Sequence, residues 1–157
     1  MSVLEKDFRK IMGRFTTGVA IITTGHQGTP VGVTINTLTS VSLAPPLVLF
    51  CLGKTRAAFP AFFEATHCAI HILSSQQVEL CQAFANPSNH PWKGLSYETN
   101  KNGCPLIPGS LGILQCRREQ IYSGGDHFIF LHHVEDIHWE KGDPNKAPLI
   151  YFQGALR

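Results

Sequence analysis

The stretch that decides the fold is residues 31–46, VGVTINTLTSVSLAPP. Val31, Val33 and Ile35 alternate with small or polar residues, and the segment stops at Pro45-Pro46, so it reads as a strand running into a turn. Thr34, Asn36, Thr37, Thr39, Ser40 and Ser42 fall within nine residues of that strand end. Hydroxyls, an amide and exposed backbone N–H groups in one place suit a phosphorylated ligand with many acceptors. A polar edge strand entering a turn has the same composition, so these residues alone leave both readings open.

Working outward, residues 25–30 supply turn chemistry between the β-branched run 19–24 and residues 31–36, which predicts a hairpin. Upstream, Leu4, Phe8, Ile11 and Phe15 recur at spacings of four, three and four, an amphipathic helix over residues 3–15. Downstream, residues 47–52 form a short apolar strand. Phe59, Phe62 and Phe63 place a helix over 55–65, with Pro60 restricting the residue before it. Residues 67–73 alternate as a strand, and Ser74 with Gln77 opens a helix to residue 85 as a capping box. Residues 86–108, around Trp92 and Tyr97, form a long irregular segment read as a lid or a partner contact. Strands over 111–120, 128–139 and 149–152 complete the chain. Two helices among six or seven strands, with an all-β last third, predict a mainly β (α+β) antiparallel barrel with short rim helices.

A chain of 157 residues makes a single domain over 1–157, burying roughly two thirds of its unfolded surface. Apolar residues at 43% against 15% charged describe a compact protein, or one that covers further surface by self-association. A net charge of +2 is too small to imply a nucleic-acid groove or a membrane footprint. Five cysteines without CxxC spacing predict a reducing, cytoplasmic setting without disulfides. Glu5, Lys6, Asp7, Arg9 and Lys10 interrupt any early apolar run, so no signal peptide is expected. Tyr151-Phe152-Gln153-Gly154 looks like a tag scar, but the preceding Pro148-Leu149-Ile150 reads as native strand.

Two more groups of residues carry chemistry. In Cys51-Leu52-Gly53-Lys54-Thr55-Arg56 a strand passes into an expected helix start, where N–H groups, a hydroxyl and cations favour an anion. An ordinary helix start with solvated cations reads the same. Gly125-Asp126-His127 places a carboxylate where it can orient an imidazole that donates to a ligand. A turn aspartate followed by a strand histidine is the plain alternative. GxGxxG is absent, so no Rossmann crevice is expected. His67 and His71, four apart on a strand, stand roughly 13 Å from each other. No metal site is expected, and no GxSxG or activated thiol offers a nucleophile.

Taken in order, Phe15-Thr16-Thr17-Gly18-Val19-Ala20-Ile21-Ile22-Thr23, residues 31–46 and Gly125-Asp126-His127 resemble the short-chain flavin reductases of the FMN-binding split-barrel superfamily. These are the reductase components of two-component flavin-dependent monooxygenases. The resemblance implies NADH- or NADPH-dependent reduction of FMN or FAD and release of reduced flavin to a separate monooxygenase. It also implies a homodimer with flavin near the interface. On this resemblance Thr34, Ile35, Asn36, Thr37, Thr39 and Ser40 line the isoalloxazine and ribityl phosphate. Cys51 and Leu52 lie beside the flavin, Lys54 and Thr55 take phosphate, and Asp126 and His127 approach the flavin and nicotinamide, with His127 in a supporting catalytic role. Hydride transfer needs stacked rings about 3 to 3.5 Å apart rather than a strong acid or base. Alternatives on the same barrel are a pyridoxamine-phosphate-oxidase-like oxidase and a non-catalytic flavin- or haem-binding protein.

Overall fold

The computed structural model describes residues 2–139 and 146–157. Its helices are α1 (Val3–Met12), α2 (Phe59–Glu64) and α3 (Val78–Ala85). Its strands are β1 (Thr17–Gly18), β2 (Ala20–His26), β3 (Thr29–Ile35), β4 (Thr39–Leu43), β5 (Pro46–Gly53), β6 (His67–Ile72), β7 (Glu98–Thr99) and β8 (Pro105–Leu106). The last four are β9 (Gly112–Gly124), β10 (His127–Trp139), β11 (Ile150–Phe152) and β12 (Ala155–Leu156).

Seven strands form one antiparallel sheet in the order β3-β2-β6-β9-β10-β5-β4. Two short turns set its register. Gln27 and Gly28 both hold positive φ (50° and 77°), as a two-residue hairpin turn requires, and they join β2 to β3. Gly125 (φ 68°) begins the two-residue turn between β9 and β10. The sheet curls so that its two ends share one interior. Val33 and Ile35 of β3 pack in the same cluster as Val48, Phe50 and Leu52 of β5, together with Ile22, Ile70 and Phe130. The predicted barrel is therefore present.

β2 is buried on both faces. Ala20 and Ile22 point into the barrel, while Val19 and Ile21 pack outward with Leu73, Cys81, Phe84 and Leu149 under α3. This second core also takes in residues 92–97. Trp92 meets Phe84 edge-on at 4.9 Å and Tyr97 at 5.1 Å, so these aromatics anchor the segment to its own chain. The tag-like Tyr151-Phe152-Gln153-Gly154 is structural: β11 pairs with β1 and β12, and Gln153 N–H donates to Gly13 O at 2.8 Å.

The helices differ most from expectation. α1 ends at Met12 because Gly13 caps it, and none of its side chains is buried. α2 is half the expected length, since Pro60 confines it to the residues from Phe59 onward. None of the helices among the described residues is long and apolar enough to cross a membrane.

Two histidines sit inside this frame. His71 is fully buried, its Nδ1 3.0 Å from Ile21 O and its Nε2 accepting Ile107 N–H at 3.1 Å. A carbonyl only accepts and an amide N–H only donates, so the proton is fixed on Nδ1 and the ring is neutral. His132 is 3% exposed and stacked on Phe50 at 5.2 Å. Desolvation lowers both, each to about 4. The unfolded imidazole titrates near 6.5, so stability is complete above that pH and falls as pH drops from about 6.5 toward 4. At pH 5 the loss is about 2 kcal/mol per histidine. Urea midpoints measured from pH 8 to 5 should be flat down to roughly pH 7 and fall below it, and His132→Phe should remove about half of that fall.

Candidate functional site

β5 is the spine on which the predicted segments converge. Along one edge runs β4, with Thr39 opposite Leu49 and Ser40 opposite Val48. Along the other runs β10, with His127 opposite Gly53. Thr37 bridges from the connector after β3. Its Oγ1 donates to Cys51 O and accepts from Cys51 N–H, both at 3.0 Å. A hydroxyl can do both at once, so this one side chain takes the place of a ladder partner between the sheet's two ends. Residues far apart in sequence are thus brought to adjacent strands by ordinary β pairing.

The predicted residues then separate by what their polar groups are doing. Asn36, Thr39, Ser40 and Thr55 are exposed, and none of their side chains has a hydrogen-bond partner among the described residues. They are free to meet a ligand. Ile35 (7% exposed) and Leu52 (2%) point into the barrel, leaving only their peptide edges for one. Cys51 is half-buried, and burial pushes its thiol up, away from thiolate chemistry.

Two of the predicted segments are placed otherwise than expected. The Thr34 hydroxyl donates to Cys81 O of α3 at 2.7 Å, on the face opposite Val33 and Ile35. Period-2 alternation sends it outward, where α3 claims it. Lys54 and Thr55 do not sit at a helix N-terminus, because α2 starts only at Phe59. The Lys54 ammonium instead donates to Gly125 O at 2.6 Å and lies 4.7 Å from the Phe128 ring centroid.

At the β9–β10 turn, His127 Nδ1 lies 2.7 Å from Asp126 Oδ1. A carboxylate only accepts, so Nδ1 carries the proton and donates. That bond, with the imidazole's charge and a smaller contribution from Lys54, holds the Asp126 carboxyl below its ordinary value. In its neutral form the ring, with Nδ1 protonated, presents Nε2 as an acceptor, which reverses the expected donor role. Gly53 lies beside it: a Cβ added there would stand 3.5 Å from Nε2 and 3.7 Å from Arg56 Cγ, so glycine leaves a bare peptide edge next to the imidazole.

A cavity of about 1110 Å³ opens against Asn36, Thr37, Leu38 and Thr39 and is closed on its far side by α1 and the β11–β12 turn. Its walls add Arg9, Arg14, Met12, Thr17 and Tyr151, to which the sequence reading gave no binding role. The available signal was the Thr16-Thr17-Gly18 turn. Apolar Phe8, Met12 and Leu38, unspent hydroxyls, and guanidinium groups at one wall fit a ligand with a flat ring, a polar chain and phosphate. The cavity does not include Ser40, Lys54 or His127, which lie along β5 and β10. No group of three metal-ligating side chains occurs among the described residues.

Comparison with known proteins agrees with this chemistry. The model of the flavin reductase like domain matches residues 12–157. The FMN reductase (NADH) SmoA of Agrobacterium fabrum is 42% identical over 140 residues, covering 89% of this chain and 80% of its own. The reductase subunit HsaB of a flavin-dependent monooxygenase of Mycobacterium tuberculosis is 31% identical over 149 residues, covering 95% and 79%. Among solved structures, the Streptomyces globisporus NADH:FAD oxidoreductase SgcE6, in complex with NAD and FAD fragments, superposes with a TM-score of 0.89 at 32% identity. That superposition covers 98% of this chain and 91% of the other.

Proposed function

The chain belongs to the flavin reductase like domain family, and we propose that it reduces FMN or FAD with NADH or NADPH and supplies reduced flavin to a separate monooxygenase. The observation that carries this reading is the convergence on β5 of the free polar edge Asn36, Thr39 and Ser40 with the Asp126–His127 pair. Relatives named as NADH-dependent FMN reductases and monooxygenase reductase components support it.

In this reading the peptide edges of Ile35 and Leu52 and the side chains of Asn36, Thr39, Ser40 and Thr55 hold the flavin, with Cys51 beside it, its N–H and carbonyl both held by Thr37. Bound flavin supplies the hydride-accepting N5. The protein's share of the chemistry is orientation. Asp126 keeps the proton on His127 Nδ1, so Nε2 of the neutral ring would accept from the nicotinamide carboxamide and help to orient it. Anaerobic mixing with each nicotinamide nucleotide and each flavin tests the function. Stoichiometric nucleotide oxidation with at least one pairing is expected; no oxidation with any of the four, despite flavin binding, would leave a passive binder.

A homodimer belongs to the same reading. α1 displays Leu4 at 78%, Phe8 at 64% and Ile11 at 65% exposure, and Phe15 just beyond it is 69% exposed, an apolar face that a second copy would cover. Sedimentation equilibrium should give a dimer at micromolar protein; a monomer there removes this part of the reading. A reducing cytoplasmic setting fits the five free cysteines, four of them buried.

A further inference from the structure

We infer that Lys54 is a positioning residue for His127, clamping the Gly125-Asp126 turn through its ammonium, and is not a ligand for phosphate. The inference rests on the role proposed for His127. Lys54 sits one residue beyond the Gly53–His127 pair, so its backbone N–H continues the ladder to Asp126 O at 3.0 Å. Its side chain then crosses the turn and donates to Gly125 O at 2.6 Å. Beyond the strand ladders, it is the side chain that reaches the turn's backbone among the described residues.

The other side of the ammonium is occupied as well. It lies 4.7 Å from the centroid of Phe128, whose ring stacks on Phe59 at 5.4 Å and meets Phe63 at 5.5 Å. The cation is thus gripped between a carbonyl and an aromatic platform, both stronger partners for a charged donor than for a neutral one. The turn needs such a clamp. It stands at the exposed tip of a long hairpin, and the Asp126 and His127 side chains are 95% and 47% exposed. Two exposed side chains keep a 2.7 Å contact only if the backbone beneath them is held. Lys54 supplies that restraint, and through Asp126 it selects the ring nitrogen that carries the proton.

The test uses Lys54→Met, which keeps the methylene stem, and Lys54→Arg, which keeps the charge. In the ligand-free protein at pH 8.5, long-range ¹⁵N–¹H spectra should show His127 protonated at Nδ1 in wild type and Lys54→Arg. In Lys54→Met a second population protonated at Nε2 should appear. An unchanged tautomer in Lys54→Met overturns the inference. Stopped-flow flavin reduction at saturating flavin should slow roughly three- to tenfold in Lys54→Met, with flavin Kd unchanged within about twofold. Added to His127→Ala, Lys54→Met should cause no further loss, because it acts through the same imidazole. Full additivity, or a tenfold weaker flavin Kd with an unchanged reduction rate, would instead make the ammonium an independent or phosphate-binding group and overturn the inference. If wild type reduces no flavin, the functional reading fails, and the tautomer arm still decides the role of Lys54.

Discussion

Replacing Phe50 by alanine is expected to remove about 3–5 kcal/mol of folding free energy, the range for truncating a fully buried phenylalanine. Phe50 is 0% exposed and stands directly across the β5–β10 ladder from Phe130. Its ring stacks on Phe130 at 5.2 Å and 11°, and on His132 at 5.2 Å and 18°, with Phe62 edge-on at 6.4 Å. The rings stacked around Phe50 are rigid, so the void stays largely open and its cost adds to the lost transfer energy. Thermal unfolding should fall by roughly 10 °C or more in a domain of this size. Phe8→Ala makes the contrast: Phe8 is 64% exposed, so its loss should leave the stability of the monomer nearly unchanged. A Phe50→Ala protein as stable as wild type would mean that the sheet does not close around this stack.

The same ring explains why the barrel was legible in the sequence and parts of the site were not. Residues 47–52 read as a buried strand because a short apolar run has few other fates, and β5 is where they lie. The β2–β3 hairpin was equally readable, since its turn is local and Gln27-Gly28 carries the needed φ values. What the chain does not announce is which distant element arrives on a given face. Thr34 alternates outward in any strand, but only the fold reveals that α3 waits there with the Cys81 carbonyl. The Lys54 ammonium reads as free because its partner, Gly125 O, lies 71 positions away.

Trp92 shows that a weak signal for such a contact was present. Gly32 is a glycine inside a strand, a position that often marks a close approach. A Cβ there would come within 2.6 Å of Phe84 Cε1 and 3.0 Å of Trp92 Cζ2, so the missing side chain leaves room for this aromatic pair. The exposed face of α1 is a different case. Its periodicity is correct, yet amphipathicity says only that some surface will cover the stripe, and within one chain none does. That is a physical reason for the dimer to enter as a proposal rather than as part of the fold.

His127→Ala is expected to slow flavin reduction roughly tenfold to a hundredfold at saturating flavin, with flavin Kd changed little. The range follows from losing one orienting hydrogen bond worth about 1.4–2.7 kcal/mol, at a factor of ten per 1.4 kcal/mol. The side chain has two ring nitrogens and one is already spent, Nδ1 on Asp126 at 2.7 Å, so a single acceptor faces the ligand. Truncation removes that acceptor without disturbing the core, because His127 begins β10 at an exposed position while Phe128 keeps its place against Phe59. The free flavin-facing groups, Asn36, Thr39 and Ser40, lie at the other edge of β5 or before β4, so they should not respond. Stopped-flow measurement separates the reduction step from product release and gives both quantities on the same protein. A normal reduction rate with a tenfold weaker flavin Kd would place His127 against the flavin instead of the nicotinamide. Both values unchanged would reduce Asp126 and His127 to the hydrogen-bonded end of a hairpin, and the site would then consist of the polar edge of β4 and the cavity beneath α1.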